Sequence, residues 1–274
     1  MTNIKNIYKL ISPYIKNTPL EYSDRLSKIF NATIYLKRED LQLTRSFKIR
    51  GALNKILNSK NAHNVVCASA GNHAQGVGYA CDLLNLKGDI FIPENTPLQK
   101  VNSIEKYNNI KLHKYGNNFN DCLNKAQEYC NHNDYLFIHP FNDLKIIEGQ
   151  STVGYEIFNE FEPDYIVSSV GGGGLISGLI NSSKDFNTKI IGVEPFNADS
   201  LNQSLKKNKN IKLNDIDNFV DGASVEQIGD ITFSICKNYN PKVIVINKNK
   251  LSNDLIKLYQ NEGIITITTI YFFK

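Results

Sequence analysis

Short β-branched runs alternate with amphipathic stretches along almost the whole chain, and this alternation limits the fold more than any other feature. Strand-like runs fall at 33–36, 64–68, 89–92, 110–115, 165–170, 189–193 and 243–246, and helical patterns at 47–57, 73–84, 119–130, 146–158 and 251–260. Strand–helix–strand repetition predicts an α/β protein with a mostly parallel sheet covered by helices on both faces. Right-handed crossovers then line up the strand-to-helix loops along one edge, where ligands bind in open sheets. A length of 274 residues allows about two domains or one large one.

Composition removes several other classes. With 41% hydrophobic and 21% charged residues the chain is neither disordered, collagenous nor coiled-coil. Lys+Arg 31 against Asp+Glu 27 gives +4, spread without the basic stripe of a nucleic-acid binder. The five cysteines, Cys67, Cys81, Cys122, Cys130 and Cys236, form no C-x-x-C pair and are odd in number, which argues against a disulfide framework or zinc knuckle. The uncharged run 165–183 is rich in glycine and serine and too weakly hydrophobic to insert in a membrane. The apolar tail 263–273 is too short to span one. MTNIKNIYKLIS lacks the apolar core of a signal peptide. A soluble cytoplasmic protein acting on a small molecule, without membrane or nucleic-acid partner, is expected.

Three segments carry candidate chemistry, each at a strand-to-helix junction. In Ser46-Phe47-Lys48-Ile49-Arg50, Ser46 is the predicted N-cap, which places Lys48 in the first helical turn. The positive helix end, with Arg45 and Arg50, would disfavour the ammonium form, and a lysine of depressed pKa suits Schiff-base chemistry. Taken alone, Lys48 reads more simply as a solvated surface lysine. Ser69-Ala70-Gly71-Asn72-His73 follows an apolar strand and would present free helix-start amides to a carboxylate or phosphate, or else form an ordinary Asn cap. His73, if buried, reads as a satisfied core histidine rather than a base. Gly171-Gly172-Gly173-Gly174 lies between a β-branched strand and an apolar helix, a phosphate-cradling arrangement rather than a flexible linker.

The glycine run leaves two ligands open. Gly172, Gly174 and Ser177 approach a dinucleotide fingerprint, with Glu194 at about the distance of a ribose-binding acid, although Ser177 replaces the third glycine. A nicotinamide enzyme gives no reason for the Lys48 and Asn72 segments. Pyridoxal phosphate needs all three: a lysine for the aldehyde, a polar group beside the ring hydroxyl and a phosphate cup.

In this order and spacing the motifs resemble those of fold type II pyridoxal-phosphate enzymes, most closely the threonine dehydratase (threonine ammonia-lyase) group. Further similar segments are Tyr35-Leu36-Lys37-Arg38-Glu39-Asp40-Leu41, His139-Pro140-Phe141, Ile147-Glu148-Gly149-Gln150 and Asp221-Gly222-Ala223-Ser224-Val225. The resemblance implies two α/β domains, each with a mostly parallel twisted sheet flanked by helices: a large one of residues 1–56 and 140–274 and a small one of 57–139, with pyridoxal 5'-phosphate in the cleft between. Lys48 would carry the cofactor as a Schiff base beside Phe47. Asn72 would bond the ring hydroxyl, and Gly171, Gly172, Gly173, Gly174 and the Leu175 amide would hold the phosphate. Ser69, Gly71, Asn72 and His73 would grip the substrate carboxylate. The implied reaction removes the Cα proton with Lys48 and expels the β-hydroxyl as water, with a proton from the cofactor phosphate. The enamine then hydrolyses to 2-oxobutanoate from threonine, or pyruvate from serine, with ammonia. Ala70 stands where serine racemases of this group have a proton-donating serine, which favours elimination. Glu194 and Ala198 are weak candidates for a cation site, because Ser200 replaces an acid. A homo-oligomer is expected.

The departure from the family lies at the end. After Asn261-Glu262-Gly263-Ile264-Ile265-Thr266, relatives continue with Glu-Pro-Ala-Gly and a Ser-Gly-x-Asn strand whose serine faces the pyridine nitrogen. Here the chain reads Ile267-Thr268-Thr269-Ile270-Tyr271-Phe272-Phe273-Lys274. A truncated or frame-shifted tail of this kind implies a lost ring-nitrogen partner, a missing strand and an exposed sheet edge. An NAD-type oxidoreductase and a catalytically impaired cofactor-binding remnant are the alternative functions.

Overall fold

The computed structural model describes residues 4–59, 62–264 and 270–273. In chain order its helices and strands are α1 (Ile4–Ile11), β1 (Leu20–Tyr22), α2 (Asp24–Phe30), β2 (Ile34–Lys37), α3 (Lys48–Leu57), β3 (Asn64–Ala68) and α4 (Asn72–Leu84). There follow β4 (Lys87–Ile92), α5 (Leu98–Glu105), β5 (Ile110–Lys114), α6 (Phe119–Asn133), β6 (Leu136–Phe137) and α7 (Leu144–Glu160). The remainder is β7 (Tyr165–Ser169), α8 (Gly174–Ser182), β8 (Lys189–Pro195), α9 (Ser200–Lys206), α10 (Asp230–Tyr239), β9 (Lys242–Ile246), α11 (Lys248–Glu262) and β10 (Ile270–Phe273). Among the described residues no helix is long and apolar enough to cross a membrane.

Two compact units divide the chain, one of Met1–Lys16 with Leu41–Gln150, the other of Asn17–Asp40 with Ser151–Lys274. The first holds a four-stranded, fully parallel sheet in the order β5-β4-β3-β6. Successive side chains of β3 point to opposite faces. Val65 and Cys67 join Ile11, Ile49, Leu53, Val77 and Ile104 in one core, while Val66 and Ala68 join Cys122, Ala126 and Cys130 in the other. Helices α1, α3, α4 and α5 therefore supply one face and α6 the opposite one. This sharing of a core puts α1 and α3 in the unit built on β3, whereas the boundaries read from the sequence, 56/57 and 139/140, set those helices apart from it.

The second unit holds a six-stranded sheet in the order β1-β2-β10-β7-β8-β9. Strands β7, β8 and β9 run parallel, and β1 pairs antiparallel with β2. On one face of β2, Ile34 and Leu36 pack with Leu26 of α2 and with Leu258 and Ile264. On the other, Lys37 forms a buried ion pair with Glu156 of α7 at 2.5 Å, each side chain only 2% exposed.

Strand β10 corrects an expectation about the tail. Instead of leaving an edge bare, Ile270–Phe273 lies between β2 and β7 and pairs antiparallel with both. A run of Ile, Tyr and Phe has high strand propensity, and two flanking backbones offer hydrogen bonds on each side. The preceding stretch 265–269, and Lys274, lie outside the described residues.

Candidate active site

Functional side chains gather in two clusters, one in each unit. In the first, α3 begins at Lys48. The N-cap is Phe47 rather than the expected Ser46. Phe47 already has helical dihedrals and makes no side-chain cap, while Ser46 Oγ accepts from the Lys48 amide at 3.3 Å. Lys48 is half-buried and its Nζ donates to the Pro140 carbonyl oxygen at 2.8 Å, 5.6 Å from the Phe47 ring centroid. Removal from water lowers the Lys48 ammonium to about 8. Burial is the cause, in place of the dipole and arginine field expected from the sequence: Arg45 is exposed, and Arg50 is fully buried.

The second helix of this cluster, α4, opens at Asn72 with Gly71 as its N-cap, one residue from the expected start. Ser69 Oγ accepts from the Gly71 amide at 3.2 Å and so folds the loop from β3 into the helix. Helix α4 lies hard against the start of α3. A Cβ at Gly76 would meet Ile49 N at 3.1 Å and the Lys48 carbonyl carbon at 3.2 Å. The Ser69–His73 loop and Lys48 are thus brought side by side by a glycine contact.

Two histidines complete this cluster. His73, 3% exposed, donates through Nε2 to the Ile138 carbonyl at 2.9 Å, and its buried Nδ1 has no hydrogen-bond partner. Burial, then the Lys48 charge, push its pKa down to about 3, so the imidazole is neutral at any physiological pH. It is a buried histidine, as the sequence suggested, but one with an unused acceptor. His139 accepts from the Phe141 amide at 3.2 Å and the Asn142 amide at 2.8 Å through Nδ1. Burial and Lys48 lower it to about 4. These bonds shape the turn that carries the Pro140 carbonyl. The sequence reading quoted His139-Pro140-Phe141 without giving it a task, since an acceptor carbonyl leaves no mark on side-chain identity.

In the second unit β7 delivers Gly171, Gly172 and Gly173 to the start of α8, which begins at Gly174. Gly173 has φ +85°, and a Cβ there would meet Ile228 Cδ1 and Thr232 Cβ, both at 2.8 Å. A side chain is excluded twice over, by backbone conformation and by space. The amides of Gly174, Leu175 and Ile176 begin a helix and have no carbonyl four residues back within it, so they form the positive end suited to an anion.

Glu194, the last residue but one of β8, is fully buried, and its two carboxylate oxygens accept from the Leu201 amide at 2.9 Å and the Asn202 amide at 2.8 Å. Burial raises it to about 8 against the lowering effect of those amides. The carboxylate caps α9, which leaves no outward-facing acid for a ribose. Neighbouring Ala198 is 1% exposed, and Ser200 Oγ is buried without a partner. Among the described residues no group of three or more His, Cys, Asp or Glu side chains converges as for a metal ion.

The donor sets suit the group that the sequence resemblance implies: an amine of lowered pKa beside a helix start in one unit, and in the other a glycine cradle whose space a Cβ would fill. Residues 11–269 match the family described as "Pyridoxal-phosphate dependent enzyme". The chain is 42% identical over 276 residues to L-threonine dehydratase biosynthetic IlvA of Halalkalibacterium halodurans, covering 95% of this chain and 66% of that protein. It is 41% identical to the Bacillus subtilis protein of the same name, covering 97% and 66%. The chain therefore spans just under two thirds of the length of these curated relatives. Among solved structures, the processed form of threonine deaminase isoform 2 from Solanum lycopersicum superposes with a TM-score of 0.90 at 33% identity, covering 96% of this chain and 74% of that one. A crystal structure of the T.th. threonine deaminase gives a TM-score of 0.90 at 31% identity, covering 95% and 86%. With nearly its whole length matched in sequence and in fold, the chain belongs to the family of pyridoxal-phosphate dependent enzymes.

Proposed function

We propose that the chain is a pyridoxal-phosphate-dependent ammonia-lyase that converts L-threonine to 2-oxobutanoate and ammonia, and L-serine to pyruvate and ammonia. The observation that carries this reading is Lys48, whose desolvated amine, lowered to about 8, sits at a helix start beside a second helix start. Relatives named threonine dehydratase and threonine deaminase support the choice of substrate.

The cofactor, when bound, supplies an electron sink that stabilises negative charge at the substrate Cα. The residues divide the remaining work. Lys48 Nζ would hold the cofactor through its aldehyde and would serve as the base for the substrate Cα proton; a pKa near the working pH suits both tasks. Pro140 carbonyl holds the free amine in place through its hydrogen bond. The start of α4, from Ser69 to His73, offers amides and a positive helix end to the substrate carboxylate. Gly171, Gly172, Gly173, Gly174 and the Leu175 amide would hold the phosphate, with Phe47 beside the ring and Asn72 at the ring hydroxyl. Ala70 has no exchangeable side-chain proton to return to Cα, so elimination is the outcome.

The test is spectroscopic and then catalytic. Pyridoxal phosphate added to the purified chain is expected to give a violet-region absorption band that Lys48→Ala abolishes, followed by 2-oxobutanoate release on adding threonine. The same spectrum from wild type and variant would overturn the reading. A band without 2-oxobutanoate would mark a protein that binds the cofactor without turnover.

A further inference from the structure

We propose that Thr232 is a positioning residue for the glycine loop, setting the direction of the peptide between Gly172 and Gly173; this rests on the cofactor reading above. Thr232 lies in the first turn of α10, is fully buried, and donates through Oγ1 to the Gly172 carbonyl at 2.7 Å. The same oxygen lies 3.0 Å from the Gly229 carbonyl, one helical turn back in its own chain segment. Its Cβ fills the space that a side chain at Gly173 would need. One turn further along α10, Cys236 Sγ lies 3.9 Å from Ser177 Oγ on α8. The two helices are therefore keyed together at two successive turns, and the first of those turns meets the loop.

The consequence follows from peptide geometry. A trans peptide is planar, with its C=O and N–H directed oppositely. Holding the Gly172 carbonyl toward Thr232 turns the Gly173 N–H the other way, away from α10. It also keeps a carbonyl oxygen from turning toward the first-turn amides of α8, where it would repel an anion. Four consecutive glycines have little torsional preference of their own. A neighbour must supply the order, and the Thr232 hydroxyl is placed to do so. The Gly229 amide also donates to the same carbonyl at 3.4 Å, a longer and weaker bond than that from Thr232.

This assignment separates affinity for the phosphate from affinity for the aldehyde. Dissociation constants of pyridoxal phosphate and of pyridoxal, which lacks the phosphate, would be measured by absorbance titration for wild type, Thr232→Ser, Thr232→Ala and Thr232→Val, with apo-protein melting as the folding control. Ser and Ala differ only by the oxygen. Thr232→Ala and Thr232→Val are expected to lose affinity for pyridoxal phosphate by about tenfold, the scale of one lost hydrogen bond to a charged site, while pyridoxal binding stays near wild type. Thr232→Ser should keep the wild-type ratio, and the Ser/Ala pair decides the matter if the valine variant does not fold. An unchanged ratio in Thr232→Ala, or equal loss of both ligands, would overturn the assignment. Wild type that binds neither aldehyde would instead sink the cofactor reading.

Discussion

Lys48 Nζ hydrogen-bonds the carbonyl oxygen of Pro140 at 2.8 Å, so the amine of one helix start is fixed by a backbone atom far along the same unit. A carbonyl accepts from either protonation state of the amine and leaves the nitrogen lone pair of the neutral form available. Burial supplies the pKa shift and the carbonyl supplies the direction.

The rate of combination with an aldehyde should report that shift. Only the neutral amine attacks, so the second-order rate with pyridoxal phosphate is expected to rise with pH and level off above about 8. An exposed lysine, near ~10.4, would still be rising there. The same shift is a stability term. Because the folded value lies below the unfolded one, the unfolded chain binds the extra proton, and stability should increase as pH goes from about 8 toward 10. Lys48→Met removes the penalty and should stabilise the apo-protein at pH 7 by on the order of 1–3 kcal/mol, with the gain shrinking at pH 10. Urea unfolding at the two pH values checks the sign.

Gly173→Ala is expected to destabilise the second unit by about 1–3 kcal/mol, from a positive φ and from overpacking against Ile228 and Thr232. Loss of pyridoxal phosphate binding should accompany it. Gly263→Ala is the contrasting control, since that glycine has φ +64° and nothing within 4 Å of a Cβ. It tests the backbone strain without the crowding.

The Lys37–Glu156 pair is buried on both sides and also ties Lys37 to the Thr18 carbonyl at 2.6 Å. Lys37→Met alone removes the ammonium facing a buried carboxylate and should cost about 3–5 kcal/mol. Lys37→Met with Glu156→Leu should recover much of that loss, because an apolar pair of similar volume avoids desolvation altogether. A double-mutant cycle from denaturant melts measures the difference.

Glu194 should behave as a structural carboxyl. Glu194→Ala orphans two buried amides at the start of α9 and is expected to cost about 2–4 kcal/mol. Its folded pKa, about 8, lies above the usual carboxylate value, so the native state holds the extra proton. The contribution of this group is therefore greatest below about pH 4.5 and declines as pH rises toward 8. The gap between wild type and Glu194→Ala should narrow over that window in thermal melts.

The alternation of strands and helices, and the three motif positions, were readable because each motif sits where a β-branched run gives way to a helix. Asn72 and Gly174 open their helices within a residue of the expected place. Short elements such as β1 and β6 escaped, being too brief to show a period, and α1 was passed over although Ile4, Ile7, Tyr8 and Ile11 stand at helical spacing. The Lys48 environment was anticipated in direction but not in cause, because burial is a property of packing and Arg45 turned out to face solvent. Glu194 looked like a ligand in one dimension and is a helix cap in three. Thr232 carries no local signature at all, since its partner, Gly172, lies sixty residues earlier. The placement of residues 270–273 was likewise hidden, as strand propensity says nothing about which backbone a strand will join.

The interleaving of the two units has a consequence for synthesis. Residues 17–40 are synthesised before residues 41–150, yet the unit they complete is otherwise encoded after residue 150. Strand β2 can pair with β1 as soon as both are made, but its other neighbour, Ile270–Phe273, follows only after the translation of an entire parallel sheet. Residues 41–150 of the first unit are thus synthesised between two parts of the second, whose six-stranded sheet is complete only once β10 has been made.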